Sequence, residues 1–245
     1  MSDRSAIDAT SVVWHVSAEP SAWVAGVIDA LQGALVDALA QADRTLLLLS
    51  GGNTPAPVYR ALSKIPIEWS RVIVSLVDER DVESSSPGSN AKLLRETVLD
   101  GPAAAATFWP LREPATTRDA AVQMATQRWT DAMPIVAAAV LGMGDDGHTA
   151  SLFPAAQDLD RALAERAPYT SIDARGCGGA GIWPRRISLT PSGLSQSRTR
   201  LLLLRGAAKR EIFERALTTA DVRSAPVRIA VDTPGARLHV HWCAT

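Results

Sequence analysis

The chain has 245 residues, of which 47% are hydrophobic and 21% charged, and its formal net charge is −1. That composition suits an ordinary globular core and excludes a disordered chain. Near-neutral charge without a basic stripe excludes a nucleic-acid binder, so an anionic ligand has to be drawn in by a few convergent basic side chains.

Short apolar runs alternate with longer amphipathic ones. Residues 12–16 read as a strand and 20–40 as a helix, with Trp23, Val27, Leu31 and Leu35 at helical spacing. A strand over 45–49 is followed by a helix over 55–64. A strand over 71–77 leads through a loop rich in Ser, Pro and Gly (83–89) to a helix over 90–99. A helix over 121–132 precedes a fully buried strand at 135–141. The segment 154–180 carries little pattern and runs into a glycine-rich stretch at 176–181. Strands follow at 186–189 and 199–204, then a helix over 207–217 and a last strand over 237–242. This alternation predicts an α/β fold, a doubly wound, mostly parallel sheet with helices on both faces. No linker, charge block or repeat divides the chain, so residues 1–245 are expected to form a single domain.

Cys177 and Cys243 are far apart and form no Cys-x-x-Cys pair. A disulfide framework is not expected, and a reducing cytoplasm fits. Residues 1–8 lack the basic and apolar stretches of a signal peptide. The apolar runs at 46–49, 135–141 and 201–204 are too short to span a bilayer, so no membrane partner is expected.

In such sheets ligands sit outside the carboxyl ends of the strands, and four strand ends stand out. The first is Leu49-Ser-Gly-Gly-Asn-Thr-Pro55. Gly51 and Gly52 allow a tight turn, Thr54 is placed to cap a helix beginning at Pro55, and the exposed N–H groups would suit a phosphate. A plain strand-to-helix turn is the alternative, and the spacing of a Walker A loop is absent. The second is Ser75-Leu-Val-Asp-Glu-Arg80, where Asp78 and Arg80 stand at the mouth of a site or in a solvated loop. Arginine there could fork onto a phosphate or polarise an ester carbonyl.

The third is Val140-Leu-Gly-Met-Gly-Asp-Asp-Gly-His-Thr-Ala-Ser-Leu-Phe-Pro154. Gly142, Gly144 and Gly147 have dinucleotide-binding spacing, but Pro154 follows too soon for a crossover helix, and no strand ending in an acidic residue follows at the required distance. Asp145, Asp146 and His148 concentrate the chemistry instead. An imidazole oriented by a carboxylate suits a general base that activates water. A glycine turn with a surface histidine is the other reading. One histidine and two aspartates within four residues form no recognisable metal set. The fourth strand end pairs Arg185 and Arg186, opening a strand, with Leu203-Leu-Arg-Gly-Ala-Ala-Lys209, opening a helix. His239 and His241 share one face of the last strand and read as ordinary strand residues.

Taken together, Ser-Gly-Gly-x-Thr-Pro, Val-Asp-Glu-Arg, Ser89-Asn90, the block at 141–154, Arg-Ile-Ser-Leu-Thr and Gly-x-x-Lys resemble, in that order, the 6-phosphogluconolactonase family, related to glucosamine-6-phosphate deaminases. The resemblance spans nearly the whole chain and implies hydrolysis of a phosphorylated sugar lactone, 6-phospho-D-glucono-1,5-lactone, in the oxidative pentose phosphate pathway, without metal or cofactor. By motif, Gly51, Gly52, Thr54, Arg186 and Lys209 would bind phosphate. His148, beside Asp146, would be the general base, and Asp78 and Arg80 would line the lactone end. The neighbouring Arg185 competes with Arg186 for the phosphate role. The loop at 81–88 departs from the family, which often carries an aromatic and a histidine there.

Three alternatives remain at this point. A deaminase-like isomerase typically has Asp-Glu-Tyr and Asn-Glu-Pro where this chain has Asp78-Glu79-Arg80 and Ser151-Leu-Phe-Pro154. A non-catalytic sugar-phosphate sensor usually carries a DNA-binding helix-turn-helix, for which the short stretch before the first strand leaves no room. A dehydrogenase would use the turn at Gly142–Gly147. Oligomeric state is left open.

Overall fold

The computed structural model describes residues 12–219 and 221–245. The reading of residues 1–8 as free of a leader pattern falls outside them. In chain order the elements are β1 (Val12–Ser17), α1 (Pro20–Leu39), β2 (Thr45–Leu49), α2 (Ala56–Leu62), β3 (Val72–Leu76), β4 (Asp78–Arg80), α3 (Asn90–Thr97), β5 (Thr107–Trp109), α4 (Arg118–Ala132), β6 (Ile135–Leu141), α5 (Leu159–Ala164), β7 (Tyr169–Asp173), β8 (Arg185–Leu189), α6 (Pro191–Ser195), β9 (Ser197–Arg205), α7 (Ala207–Thr218), α8 (Ile229–Asp232) and β10 (Leu238–Cys243).

Seven strands form one sheet in the order β1-β10-β9-β6-β2-β3-β5, and every pairing in it is parallel. A parallel sheet needs both faces covered, so its inner strands are mostly apolar. β2 and β3 are buried at every position. α7 lies against the face of Trp14, whose ring meets Phe213 edge-on. α1 packs across β6 and β10 on the other face, burying Trp23, Val27, Leu31, Leu35 and Ala38. By length and composition α1, with a mean hydropathy of 1.4, could also cross a membrane. Contiguous apolar runs alone do not reveal this, because polar residues interrupt the helix.

The chain leaves β2 toward β3 and β5, then returns to place β6 on the other side of β2. That reversal opens a crevice at the carboxyl ends of β2 and β6, where an open α/β sheet binds ligands. A second, three-stranded antiparallel sheet, β4-β8-β7, stands over it. The sequence does not announce this sheet. β4 is three charged residues with no apolar alternation, and β7 lies in the weakly patterned segment. Thr54 is not a helix cap: α2 starts at Ala56 after Pro55, and no side chain caps it.

At the edge of the large sheet, parallel pairing sets His15 opposite His241. Their rings stack at 4.4 Å, and His15 Nε2 lies 3.0 Å from His239 Nδ1. His241 Nε2 is buried and has no hydrogen-bond partner among the described residues. Burial, then the charges of His15 and His239, push the His241 pKa down to about 3. His239 is lowered as well, first by burial, then by His15 and Arg237. An unfolded histidine takes up its proton near pH ~6.5, whereas folded His241 resists until about 3. Its stabilising contribution is therefore complete above the unfolded value and is lost progressively as pH falls below it. In thermal melts at about pH 8 and about pH 5, His241→Leu should show a drop in Tm smaller than wild type by roughly 3 °C or more, about 1 kcal/mol at this chain length. Equal drops would refute the assignment.

Candidate active site

A cavity of about 200 Å³ opens at the predicted strand ends. Gly51, Gly52 and Thr54 line it from the turn after β2, and Asp78 and Arg80 from β4. His148 lines it from the turn after β6, Arg186 from β8 and Lys209 from the first turn of α7.

Alternation along β4 explains its charges. Successive strand side chains point to opposite faces, so Asp78 and Arg80 reach the cavity while Glu79 turns inward, 1% exposed. Its carboxylate accepts from the backbone N–H groups of Arg80, Asn90 and Ala91 and from Ser89 Oγ. Burial raises the Glu79 pKa, and those backbone donors oppose the rise. The clamp ties β4 to the start of α3, whose first turn Ser89 caps through the N–H of Lys92.

Asn90, which the sequence reading did not assign to the site, links its parts. Its Nδ2 donates to the Asp78 carbonyl oxygen at 2.8 Å and to Asp78 Oδ1 at 3.2 Å, and its Oδ1 accepts from Arg80 Nη1 at 2.6 Å. Arg80 Nη1 also donates to the Gly88 carbonyl oxygen at 2.9 Å. The amide lies so close to Gly51 that a Cβ there would fall 1.9 Å from Asn90 Oδ1. Glycine is required at position 51 by this approach. Asp78 is buried and accepts from Ser151 Oγ at 2.6 Å, which occupies that hydroxyl.

Arg185 and Arg186 separate by the same strand alternation. Arg185 points away, with its side chain 65% exposed and 3.4 Å from Asp81, which also holds Arg112. Those contacts anchor the start of the atypical 81–88 loop. Arg186 is buried. It donates to the carbonyl oxygens of Trp183 and Ala180, and its Nη1 lies 3.8 Å from Asp78 Oδ2. Burial lowers its pKa, and Asp78 opposes that shift.

The turn after β6 folds back on itself: Gly144 N–H donates to the His148 carbonyl oxygen, and Gly147 takes φ +79°. No helix opens there, since α5 begins only at Leu159, so the dinucleotide-binding alternative lacks its structural half. The turn instead sets His148 Nδ1 2.5 Å from Asp146 Oδ1. Partial burial would raise the Asp146 pKa, but the hydrogen bond and charge of His148 outweigh it and hold the carboxyl below its ordinary range. An ionised carboxylate only accepts, so Nδ1 is the donor, and in the neutral ring Nε2 is then the nitrogen that carries the lone pair. Phe153 supports the imidazole at 4.2 Å between centroids, and its other neighbour is Arg186, 5.4 Å from the same ring.

Gly179, from the glycine-rich stretch, also lines the cavity. A Cβ there would lie 2.5 Å from Asp146 Oδ2. Lys209 Nζ donates to the Met143 carbonyl oxygen at 2.7 Å and meets Asp145 Oδ1 at 2.8 Å. Among the described residues no group of three or more His, Cys, Asp or Glu side chains is arranged to hold a metal ion.

The chain as a whole has counterparts. Residues 18–242 match the family model described as glucosamine-6-phosphate isomerases/6-phosphogluconolactonase. A 6-phosphogluconolactonase of Xylella fastidiosa (strain 9a5c) is 48% identical over 226 residues, covering 92% of this chain and 94% of that protein. One from Pseudomonas aeruginosa is 36% identical, covering 94% and 93%. The crystal structure of a 6-phosphogluconolactonase from Shewanella baltica OS155 superposes with a TM-score of 0.88 at 32% identity, covering 95% of this chain and 98% of that one.

Gly144 tests the geometry of the turn. A Cβ at this position would lie 2.1 Å from His148 Nδ1. Gly144→Ala should therefore break the His148–Asp146 bond, at a cost of about 1–3 kcal/mol as the turn shifts. The readout is loss of the downfield Nδ1–H proton resonance. A retained resonance would show that the ring has room to spare.

Proposed function

This chain belongs to the glucosamine-6-phosphate isomerase/6-phosphogluconolactonase family, and on that basis we propose that it hydrolyses 6-phospho-D-glucono-1,5-lactone to 6-phospho-D-gluconate, the second step of the oxidative pentose phosphate pathway. The observation that carries the reading is the His148–Asp146 pair, set at 2.5 Å beside a cavity lined by arginines and a lysine.

Opening a lactone requires water to attack the carbonyl carbon while negative charge builds on the carbonyl oxygen. His148 Nε2 takes the proton of the attacking water and returns it to the ring oxygen as the tetrahedral intermediate collapses and the ring C–O bond breaks. Asp146 holds the tautomer and stabilises the imidazolium as it forms, as the acid of a triad does. Arg80 faces the developing oxyanion, where a preformed positive charge is worth most. Asp78 holds Asn90, and through it Arg80, at the lactone end. The glycine turn at Gly51 and Gly52, Thr54, Arg186 and Lys209 hold the phosphate. No acyl-enzyme forms: the Ser151 hydroxyl is bonded to Asp78, and its sequence is no nucleophile elbow. The reaction needs no metal or cofactor.

Arg80 in place of a tyrosine, and Ser151-Leu-Phe-Pro154 in place of Asn-Glu-Pro, favour the lactonase over a deaminase-like isomerase. The base–acid pair favours an enzyme over a non-catalytic sensor. We assign the activity to the cytoplasm, since both cysteines are free, and to one domain, because both sheets share a continuous apolar core.

One observation favours a second assignment within the same reaction. Arg186 shares the Phe153 ring with His148, a position from which it, rather than Arg80, would meet the oxyanion. The two assignments separate kinetically. If Arg186 binds phosphate, Arg186→Ala should weaken the preference for phosphorylated over plain gluconolactone. If it meets the oxyanion, kcat should fall for both lactones alike. In the wild type, loss of the phosphate should cost at least about two orders of magnitude in kcat/KM, from charge-assisted contacts of roughly 1.5–3 kcal/mol each. Equal turnover of the two lactones would refute the phosphate cradle.

The base is tested directly. His148→Asn should lower kcat by roughly 10²–10⁴-fold with little change in KM, in an assay corrected for spontaneous lactone opening. A variant with near-wild-type kcat would remove His148 from the mechanism.

A further inference from the structure

We infer that Arg205 is a second cation for the phosphate group, acting beside Lys209; the inference rests on the lactonase reading above for the identity of that anion. Arg205 is the last residue of β9. Gly206, at φ +85°, follows it, and Lys209 stands four positions on in the first turn of α7. Both residues line the cavity. The register of β9 with β10 pairs Arg205 with Cys243, on the face that carries Leu201 and Leu203, and Leu203 lines the cavity too.

Two contacts fix the stem. The guanidinium lies 5.8 Å from the Trp23 ring, and Nε donates to the main-chain oxygen of Thr245 at 2.8 Å. Among the described residues neither terminal nitrogen of Arg205 has a hydrogen-bond partner. The other cavity cations are engaged. Lys209 is bonded to the Met143 carbonyl oxygen and Asp145, Arg186 to the carbonyl oxygens of Trp183 and Ala180, and Arg80 to Gly88 and Asn90. Arg205 therefore presents an anchored guanidinium with both outer donors unspent, the fork that matches two oxygens of one phosphate. It enters from β9, on the far side of β6 from β2 and from β3, the strand that leads into Asp78–Arg80, so it serves the phosphate end together with Lys209. In sequence the residue lies in the basic Leu203–Lys209 strand end, but an arginine between a leucine run and a helix start usually faces solvent, so the pattern gives it no role of its own.

The test compares Arg205→Gln, which keeps an extended polar side chain without the charge, with Arg205→Ala and Lys209→Ala. Substrates are 6-phosphogluconolactone and unphosphorylated gluconolactone, with inorganic phosphate as competitive inhibitor, and thermal melts confirm folding. Both Arg205 variants should lose about ten- to a hundredfold more kcat/KM on the phosphorylated lactone than on the plain one. The inhibition constant of inorganic phosphate should rise by a similar factor. Equal losses on the two lactones, or an unchanged phosphate inhibition constant, would overturn the inference and leave Arg205 a structural partner of Trp23. If Lys209→Ala discriminates and the Arg205 variants do not, the lactonase reading stands and Arg205 alone is excluded. If the wild type itself fails to prefer the phosphorylated lactone, the phosphate reading falls and this inference with it.

Discussion

A carboxylate without water must be surrounded by donors, and the site of this protein is organised around that requirement at Glu79. Three backbone N–H groups and a serine hydroxyl converge on it. Satisfying Glu79 fixes the distance between β4 and the start of α3. Arg80 and Asn90 are the immediate neighbours in that clamp, so they are held at bonding distance from each other. Asp78, one residue before Glu79, receives the Asn90 amide and meets Arg186 from the facing strand. One buried charge that never reaches the cavity thus sets the positions of several groups that do. Leaving a charged group of this kind without its donors is strongly destabilising, so the arrangement is a rigid one.

The other half of the site depends on backbone space rather than charge. The turn after β6 brings an imidazole and a carboxylate together within three residues, and it does so only because Gly144 and Gly179 leave room for them. The small antiparallel sheet supplies Arg186 from above, while the large sheet supplies the turns from below. The cavity lies between two scaffolds of different geometry. Its walls therefore come from strand ends on one side and a strand face on the other.

The large sheet was legible in the sequence where burial is complete. β2 and β6 have the boundaries read from the sequence, because a strand buried on both faces is mostly apolar and stands out as such. The site was legible where chemistry and glycine coincide, as at Gly51, Gly52 and the 142–148 turn, all of which reach the cavity. β4 was not legible as a strand, since its pattern is set by hydrogen bonding and not by apolar alternation. Thr54 has the composition of a cap, yet the helix starts one residue later than Pro55 suggests. Arg185 and Arg186 could not be told apart because the sequence shows their strand but not its partners β4 and β7, which decide the buried face. Asn90 and Gly179 went unassigned because each matters through a partner distant in the chain. His239 and His241 read as ordinary until parallel pairing set His15 against them.

The contact between Gly51 and Asn90 has a consequence for how such a chain can change over time. A methyl group at position 51 has no place while the Asn90 amide stands where it does. Removing the amide first would release Arg80 and Asp78 from their shared partner. Neither position has a free first step. The two lie 39 positions apart in sequence, yet a chain that keeps the Asn90 amide where it stands is obliged to keep glycine at 51.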